Sequence, residues 1–152
     1  MSSTRAGQIN ADMSQEILAA HNNYRAVVTT PPLQWSDALA QSAQQWADHL
    51  ASIQQMVHSG QDGVGENLFM GTTGAFSLTQ MVGSWGDEQA NFTPGTFPDV
   101  STTGNWMDVG HYTQVVWRNT TDVGCALASD GQNDYLVCQY SPPGNMQGES
   151  VF

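Results

Sequence analysis

The order of the periodic segments constrains this chain more than any other feature. Helical spacings fill its first half, β-rich runs its last third, and no strand-helix-strand alternation separates them. A doubly wound parallel sheet needs that alternation, so the order predicts an α+β layered domain with antiparallel strands. Asp12 with Gln15, followed by Ile17, Leu18, His21, Tyr24, Arg25 and Val28, predicts an N-capped amphipathic helix that Thr29-Thr30-Pro31-Pro32 closes. Ser36 opens a second helix, whose apolar stripe is Leu39, Ala43, Trp46, Leu50 and Ile53. Glycines between residues 60 and 74 predict an irregular segment holding at most one short element. Ser77 and Gln80 form a capping box for a third helix that sets Met81, Trp85 and Glu88 on one face. Residues 91–110 read as a long loop, and loops of that length in compact domains are usually functional.

Tyr112 to Trp117, Val123 to Ala128 and Tyr135 to Tyr140 read as strands, the last two flanking the hairpin loop SDGQND. If Ser129 faces Asp134 across that loop, antiparallel counting sets Cys125 opposite Cys138. Opposed cysteines on neighbouring strands come within bridging range where strand geometry suits. Two small buried thiols are the other reading of the same pattern.

Charge excludes whole classes of partner. The chain has 152 residues and a formal net charge of −11, and its only cations are Arg5, Arg25 and Arg118. Nucleic acid needs clustered cations, so it is not an expected partner. An anionic membrane surface repels such a chain, and no apolar run approaches the roughly 18 residues of a membrane span. The length predicts one domain, burying about 68–70% of its unfolded surface. The polar start, MSSTRAGQINADMSQ, is not a signal peptide, so an exported protein would be represented here by its mature form behind a start Met. Residues 1–11 are expected to be a flexible leading segment.

The scarce residue types point to chemistry. Of four Glu, Glu88 faces inward with Met81 and Trp85, and a buried carboxylate needs a cation, a metal or hydrogen-bond donors. Glu66 lies between Gly65 and Asn67, where backbone can approach closely. His58 follows a helix, and His111 opens the run after Gly110; His21 and His49 lie on helices, where structural roles are the stronger reading. Two His and two Glu together would make a divalent-metal site with a carboxylate orienting or deprotonating a bound water. Their separations match no compact zinc signature, so a structural hydrogen-bond network or plain surface positions remain alternatives. There is no G-x-S-x-G elbow and no C-x-x-C pair.

GHYTQVVWRNT at 110–120 and YLVCQYSPPGN at 135–145 resemble the two signature segments of the CAP superfamily, which includes cysteine-rich secretory proteins, venom allergens and plant pathogenesis-related proteins. HNNYR at 21–25, GENLFMG at 65–71, Trp85 to Glu88 and VGCA at 123–126 carry the same resemblance. It implies one CAP domain over residues 1–152, folded as a three-layer α-β-α sandwich around an antiparallel sheet. It also implies a central cleft lined by the tetrad His58, Glu66, Glu88 and His111. In metal-binding members the two His are the usual ligands, so the resemblance implies a divalent metal, zinc, on His58 and His111, and a Cys125–Cys138 disulfide. It implies a secreted or extracellular protein, or a periplasmic one. Extra disulfides and a cysteine-rich C-terminal module are missing, as in minimal bacterial-type members.

The leading expectation is a monomeric, secreted metal-binding domain taking a small-molecule, lipid or peptide ligand. One alternative is a metal-dependent hydrolase with Glu66 or Glu88 as the catalytic general base. The other is a sterol or fatty-acid carrier using Phe92, Phe97, Trp106 and Met107; packing of those side chains into the domain is the competing reading.

Overall fold

The computed structural model describes residues 9–152. Residues 1–8 of the expected leading segment lie outside the described residues, while Asn10 caps the first helix and Ala11 begins it. That helix, α1 (Ala11–Val27), is capped by Asn10, whose Oδ1 accepts from the Met13 N–H at 2.9 Å. The expected cap, Asp12, instead lies in the first turn, where its charge complements the helix dipole. Ser36 caps α2 (Asp37–Ile53) as expected, and Gln54 in the left-handed conformation ends it. The two-residue strand β1 (Gln34–Trp35) lies between these helices.

The segment between residues 60 and 74, expected to be irregular with at most one short element, holds the eight-residue strand β2 (Gly65–Thr72). Its pairing with a distant strand supplies the regularity that its glycines deny locally. The capping box of Ser77 and Gln80 opens α3 (Leu78–Gly86) with both reciprocal bonds formed. This helix stops before Glu88, which sits instead in the 3-10 turn Asp87–Asn91.

The strand expected over 112–117 is the short helix α4 (Gly110–Val115), so His111 lies in a helix rather than opening a strand. Every residue of α4 except His111 is buried, and a short run buried on nearly all sides carries no period to separate helix from strand. Arg25 settles the conformation from outside. Fully buried on α1, it donates to the carbonyls of Val115 at 3.0 Å, Trp117 at 2.9 Å, Thr120 at 3.0 Å and Pro31 at 2.7 Å. Val115 is the last residue of α4 and Trp117 lies two residues beyond it, so the cation sits at the helix C-terminus, where it is stabilising. Burial pulls the Arg25 pKa down to about 10, which leaves the guanidinium charged.

The hairpin of β3 (Asp122–Ser129) and β4 (Asn133–Ser141) has the expected register, Ser129 opposite Asp134 and Cys125 opposite Cys138. The sheet order is β1-β3-β4-β2; the three long strands are antiparallel, and β1 joins β3 in parallel. Alternate residues serve the two faces. Ala126, Ala128, Tyr135 and Val137 pack with Ala43, Ala47 and Leu50 of α2. Leu127, Leu136, Cys138 and Tyr140 pack with Ile17, Met81, Trp85 and Val115 from the other helices. The result is a three-layer α-β-α sandwich. A Cβ on Gly124 would run into the backbone of Ser36, Leu39 and Ala40, so this glycine lets α2 lie flat on the sheet.

Candidate functional site

A cleft of about 530 Å³ opens at the start of β2, the edge strand of the sheet. His58, Glu66, Asn67, Trp106, Met107 and His111 are among the residues that line it. The edge strand meets α4 closely: a Cβ on Gly65 would collide with the Gln114 carboxamide, which accepts from the Gly144 N–H at 2.9 Å.

All four expected site residues are engaged, as two separate His–Glu pairs. In the first, His58 Nδ1 lies 2.9 Å from Glu66 Oε1. Glu66 also accepts from the Ser59 N–H at 2.9 Å, the Ser59 hydroxyl at 2.8 Å and Gln139 Nε2 at 3.1 Å. Burial works to raise the Glu66 pKa, but these four donors outweigh it and hold the carboxyl below its ordinary value. The hydrogen bond to Glu66 raises the His58 pKa, against partial burial.

In the second pair, His111 Nδ1 lies 2.8 Å from Glu88 Oε2, while Glu88 Oε1 accepts the backbone N–H groups of His111 and Tyr112 at 2.9 and 3.0 Å. The inward carboxylate at position 88 thus finds its donors at the start of α4. Trp85 lies nearly parallel to the His111 ring at 14° and 6.2 Å between centroids, and its indole N–H donates to the Leu68 carbonyl at 3.0 Å.

The pairs differ in constraint. The His58 side chain is 64% exposed above a 7% exposed Glu66, whereas His111 and Glu88 are 37% and 20% exposed. In each His, Nδ1 is committed to a carboxylate, and no described protein group bonds Nε2. Among the described residues, no group of three or more His, Cys, Asp or Glu is placed to hold a metal ion.

Sequence reasoning missed the residues that hold the carboxylates and the strand. Gln139 stands opposite Glu66 on β4, and Asn67 opposite Cys138. The hairpin register placed Gln139 and Cys138 correctly, but without β2 in the sheet nothing identified their partners. His21 is buried, as expected of a structural histidine, while the exposed His49 packs its ring at a tilt against Trp46. In the 91–110 loop, Phe97 is buried against Trp117 and Phe92 packs on Tyr112 and Phe152. Trp106 and Met107 stay 40% and 63% exposed at the mouth of the cleft. The Cys125–Cys138 disulfide is formed across a 4.1 Å Cα separation.

A family model described as the cysteine-rich secretory protein family, CAP, matches residues 18–140, a span that holds both His–Glu pairs and both cysteines. The chain belongs to the CAP family. Pathogenesis-related protein 1A of Nicotiana tabacum is 42% identical over 140 residues, covering 91% of this chain and 80% of the relative. Protein PRY2 of Saccharomyces cerevisiae is 39% identical over 141 residues, covering 91% of this CAP chain and 40% of PRY2. Among solved structures, NaASP2 with Zn2+ is similar with a TM-score of 0.80 and 25% identity, over 95% of this chain and 86% of NaASP2. Among the described residues of this CAP domain, no helix is long and apolar enough to cross a membrane.

Proposed function

We propose that this CAP domain is an exported protein that holds a divalent ion, zinc, on Nε2 of His58 and His111 and presents it to a ligand in the cleft. One observation carries the reading: both imidazoles line the cleft with Nδ1 already bonded to a carboxylate. A carboxylate on Nδ1 fixes the tautomer, raises ligand basicity and leaves Nε2 as the donor, the usual outer-shell arrangement around metal-ligating histidines. When bound, the ion supplies a Lewis acid and open coordination positions. Two imidazoles are one protein ligand fewer than a catalytic zinc site normally has, so an ion held by them would exchange readily and leave positions for water or ligand.

Binding is favoured over hydrolysis because the candidate bases are occupied. Glu66 accepts four hydrogen bonds and Glu88 three, and Glu88 is absent from the cleft lining. The exposed Trp106 and Met107 favour a ligand with an apolar part. Phe92 and Phe97, packed inward, give a lipid patch remote from the cleft no support. Export is supported by the secretory family match and by the disulfide, which persists in oxidising compartments.

Isothermal titration with zinc tests the reading. Wild type is expected to bind one ion per chain, and the double variant His58→Ala/His111→Ala to bind none at that site. Equal heats from the two proteins would sink it.

A further inference from the structure

Asn67 ties His111 to the core. The residue is 2% exposed, and its Nδ2 donates to the His111 carbonyl at 3.1 Å and to the Tyr140 hydroxyl at 3.3 Å. The chain continues inward. Tyr140 Oη lies 2.6 Å from His21 Nε2, and His21 Nδ1 lies 2.9 Å from the Ile17 carbonyl.

Donor and acceptor rules orient every link. The Ile17 carbonyl only accepts, so His21 Nδ1 carries the proton. Burial lowers the His21 pKa to about 4, so the ring is neutral and Nε2 is an acceptor. Tyr140 must then donate to it, which leaves the hydroxyl oxygen to accept from Asn67. The His111 carbonyl also only accepts. Both protons of the Asn67 amide are therefore committed, and its oxygen can replace the nitrogen at neither contact. The orientation is set from α1 outward.

His111 is consequently held at its ring and at both ends of its peptide unit. Glu88 takes Nδ1 and the backbone N–H, and Asn67 takes the carbonyl. Asn67 is itself paired across the sheet with Cys138, which is covalently joined to Cys125. Among the described residues, the His58 ring bonds only Glu66.

We propose that Asn67, backed by Tyr140 and His21, is a positioning residue that fixes the orientation of His111 and so sets the metal affinity of the cleft. The inference rests on the metal reading of the site. A group that orients a metal-ligating histidine is worth about 10- to 100-fold in affinity, and Asn67, acting through the backbone, belongs at the lower end.

The test compares Asn67→Leu, close in shape but without donors, with Val137→Ala, a cavity variant on the α2 face of the sheet that destabilises without touching the chain of bonds. Zinc titration is expected to show about a tenfold loss for Asn67→Leu and wild-type affinity for Val137→Ala at a temperature where both are folded. Affinity within about twofold of wild type in Asn67→Leu, or an equal loss in both variants, would overturn the proposal. If Asn67→Leu does not fold, Tyr140→Phe removes only the backing hydroxyl. It is expected to lose affinity severalfold, and unchanged affinity overturns the proposal.

If the wild type binds no zinc, the metal reading fails, and NMR of the metal-free protein judges positioning alone. A shifted His111 Nδ1–H resonance and faster exchange of the His111 amide in the Asn67→Leu or Tyr140→Phe variant support it. Unchanged spectra overturn it.

Discussion

Glu88 holds His111 twice, through the ring Nδ1 at 2.8 Å and the backbone N–H at 2.9 Å. Replacing Glu88 by Gln keeps an acceptor oxygen for the backbone N–H groups but turns an amide NH₂ toward Nδ1, which favours the tautomer with its proton on Nε2 and blocks that nitrogen as a ligand. The Glu88→Gln variant is expected to lose about 10- to 100-fold in zinc affinity by titration. Thermal unfolding should show a loss of about 1–2 kcal/mol as hydrogen bonds to a charged acceptor become neutral ones.

The His58–Glu66 pair makes stability depend on pH in a defined window. His58 is raised above its ordinary 6.5, so its contribution is complete below 6.5 and disappears as pH rises through the folded pKa. Glu66 is lowered below its ordinary 4.5, so its contribution is complete above 4.5 and disappears as pH falls through the folded pKa. In the metal-free protein, the Tm difference between wild type and His58→Gln should therefore peak between pH 4.5 and 6.5. A difference that is flat from pH 4 to 9 would remove the pair as the cause.

His21 acts in the opposite sense. Burial lowers it from 6.5 to about 4, so the folded protein resists a proton that the unfolded chain accepts. Stability from this residue is complete above pH 6.5 and falls as pH drops toward 4, by an amount on the order of 3 kcal/mol. Denaturant melts of wild type and His21→Gln between pH 7 and pH 4 should show a shallower acid slope in the variant. Equal slopes would assign the acid loss to other groups.

Arg25→Met should be strongly destabilising. It removes the donors of four buried or partly buried carbonyls at once, which costs at least about 3 kcal/mol. For a domain of this size that corresponds to a Tm lower by about 10 °C. Arg25→Lys, with three donors and no planar fork, should fall between the two. A Tm within about 2 °C of wild type for Arg25→Met would show that α4 ends without the guanidinium.

Local chemistry made part of this molecule legible before its structure. Ser36 and the Ser77–Gln80 box cap their helices as read, because a cap is a contact within a few residues. The β3–β4 register followed from one loop, and with it the opposition of Cys125 and Cys138. The failures all needed distant partners. Residues 65–72 are a strand only because β4 lies beside them, and 110–115 a helix whose end carbonyls are held by Arg25, some 90 residues earlier. At the site, the residue types at 58, 66, 88 and 111 were legible, along with the inward carboxylate of Glu88. Their pairing was not, because Glu66 meets His58 and Glu88 meets His111 across turns that carry no periodic signal.

The row Asn67, Cys138, Cys125 gives the two halves of the cleft different lifetimes. Amides beside a covalently joined strand pair in the core exchange with solvent only when the whole domain opens, whereas an exposed loop such as residues 58–64 opens by itself at far lower cost. Amide exchange at His111 is therefore expected to track global unfolding, and exchange at His58, held through the bonds that it and Ser59 make to Glu66, to be faster.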